Sequence, residues 1–250
     1  MNVVEQIYRK NEKRNHVSED MRSRKPISMK NVLGAKGKKL IIEYKRESPS
    51  GFYGPSFSSP EKFGDYVKDY ADAFSVLTEP DHFAGNFTDG LSLQKFEKPI
   101  LMKDFIDREE MIETSYNCGF DAILLIADFL PASRMEELAG YAESMHMDVL
   151  AEFHDREIFD RIPQGKNVIC GYNRRNLRTL KMEGNEDQVV ELMAGHEVKV
   201  LESGLDRSNY RRLLKMPFDG YLIGSSVLKE PKFVIEIKKE GSDYDDERNE

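Results

Sequence analysis

Short apolar runs recur along the whole chain, separated by longer polar stretches. They are Leu40–Tyr44, Phe74–Leu77, Pro99–Met102, Ala122–Ile126, Asp148–Phe153, Val168–Tyr172, Val198–Leu201 and Gly220–Ile223. Each has strand length, and most are rich in Ile, Leu and Val rather than alternating with polar residues. Strands of that kind are buried on both faces, as in a parallel sheet covered by helices. The stretches between them leave room for a loop and a helix. Met135, Leu138, Ala139, Ala142 and Met145 repeat at helical spacing between the fourth and fifth runs. Ser59-Pro60 reads as an N-cap with proline in the first helical position. Asp107 followed by Glu110 reads as a capping box opening the helix after the third run. Residues 2–14 are expected to form an extra helix ahead of the first strand. Eight strand–helix units in a chain of 250 residues predict a closed (β/α)8 barrel, a TIM barrel, rather than an open sheet.

Composition narrows this reading. With 39% hydrophobic and 33% charged residues, the chain can bury a core beneath a heavily solvated surface. No run approaches the roughly 18 apolar residues of a membrane span, and the start of the chain is too polar for a secretory signal. Residence in the cytoplasm is expected. Cys118 and Cys170 stand in no CxxC pattern and are expected to be reduced core residues. No His/Cys cluster has zinc spacing, and no metal or cofactor is expected.

Net charge is −8, unevenly spread. The segment 1–38 is basic. It lacks interleaved aromatics or a binding motif, which argues against nucleic acid as a partner. Residues 240–250 are strongly acidic and are expected to be a disordered tail. One barrel domain is therefore expected over 1–239, and no obligate protein partner is evident.

In barrels of this kind the chemistry lies at the C-terminal ends of the strands. The first strand ends in Glu43 and Lys45, two apart and so on one face. The third ends in Lys103, the fifth in Glu152, the sixth in Asn173 and Arg175, the seventh in Glu202 and Ser203. Any one of these could be a solvated loop residue. Charges at five strand ends together are costly to bury unless they are paired or functional. Asp104, next to Lys103, is expected to point the other way and to be structural. The five histidines, His16, His82, His146, His154 and His196, are expected to be surface residues without partners. Gly204 follows the seventh strand, and Gly224-Ser225 the eighth. Paired Gly/Ser turns at this place fit a barrel phosphate site, where backbone amides approach an anion. The Ser/Gly/Pro-rich segment 48–59 is expected to be a long loop beside the site.

These motifs resemble the indole-3-glycerol phosphate synthase family. IIEYKRESPSG, FSVLTEPDHFAG, PILMKDFI, AILLIA, GYNRRNL, ESG and LIGSSVL follow in the family's order from about Leu40 to Pro231. The family also carries a helical extension before its first strand. The resemblance implies an enzyme of tryptophan biosynthesis, a carbon–carbon lyase. It converts 1-(2-carboxyphenylamino)-1-deoxyribulose 5-phosphate to indole-3-glycerol phosphate, carbon dioxide and water. It implies Lys103 as the general acid on the substrate ketone and Glu152 as the base of the later dehydration. Lys45 would meet the substrate carboxylate and assist proton transfer. Glu43, Asn173 and Glu202 would surround the reacting carbons, and Arg175 and Ser203 would line the same pocket. Ser48, Gly204, Gly224 and Ser225 would bind substrate and phosphate, and Phe83, Phe105, Leu124 and Leu222 would wall the aromatic ring. Two features depart from the family pattern: the acidic tail, and Tyr172, whose bulk is expected to crowd the site beside Asn173. A phosphoribosylanthranilate isomerase relies on a Cys and Asp acid–base pair, whereas the first strand here ends in Glu43 and Lys45, which argues against that reading. A barrel kept only as a scaffold would have eroded strand ends.

Overall fold

All eight apolar runs are strands, and they close on themselves. The computed structural model describes residues 2–49, 51–53 and 57–247. The strands are β1 (Lys39–Tyr44), β2 (Ala73–Leu77), β3 (Ile100–Lys103), β4 (Ala122–Ile126), β5 (Asp148–Phe153), β6 (Val168–Asn173), β7 (Lys199–Glu202) and β8 (Gly220–Ile223). Each pairs in parallel with its sequence neighbours, and β1 pairs with β8 to complete the barrel. This is a (β/α)8 TIM barrel.

Alternation along the strands sorts side chains into two cores. Ile41, Leu101, Leu124, Leu150, Ile169, Val200 and Leu222 fill the interior. Ile42, Phe74, Val76, Met102, Ile123, Val149 and Tyr172 face the outer layer. That layer contains α3 (Pro60–Val67), α5 (Glu109–Asn117), α6 (Ala132–Ser144), α7 (Glu186–Leu192), α8 (Tyr210–Leu214) and α10 (Phe233–Glu247). Short α4 (Pro80–Phe83) and α9 (Ser225–Lys229) stand in the loops after β2 and β8. Two crossovers are tighter than the expected pattern: 3₁₀ turns at Leu91–Phe96 and Arg156–Arg161 pack where α-helices were expected.

Ser59 caps α3, accepting from Lys62 N at 3.2 Å, with Pro60 in the first turn. The capping box at Asp107 is absent. α5 begins one residue later than that motif requires, with Arg108 in the cap position. The Asp107 carboxylate instead takes Arg108 Nε at 2.9 Å, so an ion pair replaces the cap. Tyr172 does not crowd the site. It faces outward, where its hydroxyl donates to Glu183 O at 3.3 Å and accepts from Asn185 N at 3.2 Å. The two-residue period that sends Asn173 inward sends Tyr172 outward.

The extension contains α1 (Val3–Lys10), opened by a capping box of Asn2 and Glu5, and α2 (Met29–Gly34). Its cations bind barrel acids. Arg22 and Arg24 hold Asp121 at 2.9 and 2.7 Å, Arg14 holds Asp104 at 2.5 and 2.7 Å, and Lys10 holds Asp81 at 2.6 Å. At the other end, α10 continues to Glu247, through most of the segment expected to be disordered. Buried Val234 and Ile237 hold its inner face, and Gly241 packs against the stem of Lys38. Residues 248–250, and residues 50 and 54–56 of the loop 48–59, lie outside the described residues. Within that loop, Glu47–Ser48 pairs antiparallel with Phe52–Tyr53.

Candidate active site

A cavity of about 360 Å³ opens at the C-terminal end of the barrel. Its floor is a layer of ions. Glu43, Lys103, Glu152 and Glu202 come from alternate strands β1, β3, β5 and β7 and point inward, as residues of one barrel layer do. Lys103 Nζ lies 2.6 Å from Glu202 Oε2 and 3.6 Å from Glu152 Oε2. Lys45 Nζ donates to Glu43 Oε1 at 2.7 Å. Asn173 Nδ2 donates to Glu152 Oε1 at 2.8 Å, while its Oδ1 accepts from Arg175 N at 2.9 Å. Two glycines make room for the glutamates. A Cβ on Gly171 would stand 2.6 Å from Glu202 Oε1, and one on Gly224 would stand 2.4 Å from Glu43 Oε1.

Burying ions costs several kcal/mol each unless partners compensate, and here compensation is incomplete. Glu152 Oε2 and Glu202 Oε1 are buried without a hydrogen-bond partner. Burial pushes the Glu152 carboxyl up to about 8, the Glu202 carboxylate adds to the rise, and Lys103 and Asn173 oppose it. Burial would lower Lys103, but the carboxylates of Glu202, Glu152 and Glu43 outweigh it and hold the ammonium above the usual lysine range. Burial likewise works against ionised Glu43, yet Lys45, Lys103 and Arg175 hold its carboxyl below the usual range. The layer thus contains a loaded proton donor and, next to it, a carboxyl that titrates near neutrality.

Above this floor the wall is mostly apolar on one side, with Phe83, Phe105, Leu124 and Leu222. The Phe83 and Phe105 rings lie tilted against each other with centroids 6.0 Å apart. On the other side are Ser203, Gly204, Gly224 and Ser225. Ser48, Lys45 and Arg175 complete the rim, and Arg175 Nη1 donates to Leu180 O at 2.8 Å. Every site residue expected from the sequence lines the cavity except Glu202, which lies beneath Lys103.

Asp104 borders the cavity, but its carboxylate is bound by Arg14, Thr78 Oγ1 and Phe105 N, so it is structural. Sequence reasoning missed Val3 and Val4 of α1, Leu177 and Leu180 of the loop after β6, and Lys229, all of which border the cavity. The valines are far from any strand end in sequence, and only the docking of α1 brings them there. The histidines differ from expectation. His196 is buried against the Phe159 ring. His154 lies 2.8 Å from Asn173 O and 3.1 Å from Glu183 Oε2. His16 and His82 stand beside Glu113 and Glu79. His146 alone fits an exposed residue without a described partner. Both cysteines are buried and free.

The fold and the site together define a class: a (β/α)8-barrel enzyme with buried lysine and glutamate side chains gathered at its strand ends. The family model for indole-3-glycerol phosphate synthase matches residues 2–239. Proteins of that name from Picrophilus torridus and Thermoplasma acidophilum are 41% and 37% identical to the chain. The first alignment covers 97% of this chain and 99% of the relative, the second 90% and 93%. The chain belongs to the indole-3-glycerol phosphate synthase family and is a lyase of tryptophan biosynthesis. Among solved structures, KGPDC from Streptococcus mutans shares the fold, with a TM-score of 0.62 at 11% identity, over 85% of this chain and 99% of that one. A 3-hexulose-6-phosphate synthase aligns with a TM-score of 0.59 at 12% identity, over 82% and 99%. Among the described residues no helix is long and apolar enough to cross a membrane.

Proposed function

We propose that the cavity closes the indole ring of 1-(2-carboxyphenylamino)-1-deoxyribulose 5-phosphate, with Lys103 as the general acid. The observation that carries this assignment is the Lys103 ammonium, held between Glu202 and Glu152 at the floor of a cavity with an apolar wall. The anthranilate ring would lie against Phe83, Phe105, Leu124 and Leu222, where water is excluded. As the ring carbon attacks the ketone carbon, Lys103 would give its proton to the carbonyl oxygen. The carboxylate, steered by Lys45, then leaves as carbon dioxide, and its bonding pair returns to the ring system. The new hydroxyl takes a proton from Lys45, the second ammonium of the site, and departs as water, while Glu152 takes a proton from the adjacent ring CH2 carbon, whose C–H bonding pair becomes the double bond of the indole. A carboxyl near 8 suits that step, because a base titrating near the working pH is both available and strong enough. Glu43, Asn173 and Glu202 hold these groups in register, while Ser48, Arg175 and Ser203 shape the rim. The phosphate would lie at Gly204, Gly224 and Ser225.

The same reading makes a small phosphorylated molecule the partner and the cytoplasm the compartment. It assigns the basic extension to the barrel's own acids rather than to nucleic acid. The test is to incubate wild type and Lys103→Ala with the substrate and follow indole fluorescence. Wild type should turn over, and the variant should lose roughly 10²–10⁴ in turnover, the usual worth of a general acid, with its far-ultraviolet circular dichroism unchanged. Near-normal turnover in a folded variant would remove Lys103 from the chemistry.

A further inference from the structure

The turn after β7 has an unusual backbone, held from outside the cavity. Ser203 and Gly204 both adopt left-handed conformations, with φ of 66° and 70°. That conformation is unfavourable for a serine, so other contacts must hold it. Two successive left-handed residues, like a turn of helix, send their carbonyls one way and their amides the other, so a group that fixes the carbonyls also fixes where the amides of Gly204 and Leu205 point. Here the residues Ser203, Gly204 and Leu205 line the cavity, while the carbonyls are taken from behind. Arg174 Nη1 donates to Gly204 O at 3.0 Å and to Ser203 O at 3.4 Å. Asn209 Nδ2 also donates to Gly204 O, at 2.8 Å.

Arg174 is itself fixed. It is buried at 9% exposure, and its backbone N donates to Glu202 O at 3.1 Å. Its Nε stands 2.7 Å from Glu186 Oε1, a charge contact off the hydrogen-bond line. Glu186, also buried, receives Arg212 Nη2 on the same Oε1 at 3.0 Å. The guanidinium does not line the cavity. Its neighbour Arg175 does, so two adjacent arginines have opposite placements. The close fit of Arg174 extends to Gly204, where a Cβ would stand 3.0 Å from Arg174 Nη1.

We propose that Arg174 is a positioning residue for the substrate phosphate: it holds the Ser203 and Gly204 carbonyls from behind and so turns the amides of this loop toward the anion. A cation on the carbonyl side also polarises those peptides in the sense that favours an anion on the amide side. The proposal rests on the placement of the phosphate at Gly204 argued above. It adds a buried arginine, outside the cavity, on which affinity for the phosphate end depends.

Competitive inhibition by inorganic phosphate, with KM and kcat, is to be measured for wild type, Arg174→Lys and Arg174→Met. Loss of one charge-assisted bond should raise the phosphate inhibition constant and KM about tenfold in Arg174→Met, with kcat changed less than threefold. Arg174→Lys keeps a charge that can reach Gly204 O and should recover part of the loss. If Arg174→Met does not fold, Arg174→Lys decides by the same constant. It should lie above wild type, because one ammonium cannot serve both Gly204 O and Glu186. A lowered thermal midpoint with a wild-type phosphate constant, in whichever variant folds, means that Arg174 only ties β6 to α7 and overturns the proposal. A crystal structure of wild type with inorganic phosphate separates the two levels. Phosphate bound away from the Ser203–Leu205 turn sinks the phosphate placement itself. Phosphate bound there, with unaffected Arg174 variants, sinks only the role of Arg174.

Discussion

Glu152 shows most directly how the fold imposes chemistry on a residue that the sequence can only nominate. Its strand position is readable from VLAEF. Its protonation depends on burial and on Glu202, which lies 50 positions away in the chain. The folded protein holds this proton up to about pH 8, whereas the unfolded chain releases it near 4.5. The folded state therefore binds more protons over that interval. The associated stability is fully present below the unfolded value and falls as pH rises through the folded one. Glu152→Gln, which cannot ionise, should avoid this loss. The difference in thermal midpoint between Glu152→Gln and wild type should grow in favour of the variant from pH 5 to 8 and level off above. Melting curves across that range test this, and a difference independent of pH would mean that Glu152 ionises freely in the fold. Lys103 could be nominated in the same way, from its place at the end of PILMK. That it sits among three carboxylates could not, because strand-end sequence does not state which side chains share a layer.

At the scale of elements, alternation and caps were legible wherever a local rule decides the outcome. Ser59-Pro60 caps α3 because the cap needs only its own next few residues. Asp107 fails as a cap because Arg108, directly beside it, competes for the same carboxylate. Gly224 is a second case in which the neighbouring element changes the meaning of a residue. From sequence it is a turn glycine that lets phosphate approach. In the barrel, the end of β8 also presses against Glu43 on β1, and a Cβ there would stand 2.4 Å from Glu43 Oε1. Even Gly224→Ala should displace Glu43 and, through their 2.7 Å ion pair, Lys45. We expect kcat to fall at least tenfold, and by a larger factor than the phosphate inhibition constant rises. Steady-state kinetics with phosphate competition measures both. A larger change in phosphate inhibition than in kcat would restore the simpler role of this glycine.

Across the whole molecule, the charge asymmetry of the sequence becomes internal pairing at one end and a helix at the other. The basic extension supplies cations to Asp81, Asp104 and Asp121, which fastens it around the barrel and brings Val3 and Val4 to the cavity. The acidic end continues α10. The helix still packs at Gly241, against Lys38, so a truncation that keeps this contact falls after Ser242 rather than after Lys239. Truncation there should shift the thermal midpoint by less than about 2 °C, corresponding to under about 0.5 kcal/mol for a chain of this size, and leave turnover unchanged. Calorimetry and the fluorescence assay check this. A larger drop would show that the acidic end contributes to the fold.

The barrel, its eight strands almost to the residue and the side chains at the strand ends are legible in the amino-acid pattern alone. Those features follow from period-two burial and from runs whose apolar character does not depend on their partners. Which strand-end charges meet, which of Tyr172 and Asn173 faces inward and where α1 docks emerge only in the folded barrel. The same holds for the two arginines, of which Arg174 turns to the Ser203 and Gly204 carbonyls while Arg175 turns to the cavity. Each of these depends on barrel closure, which places residues far apart in the chain within a hydrogen bond of one another and removes the water that would otherwise screen them.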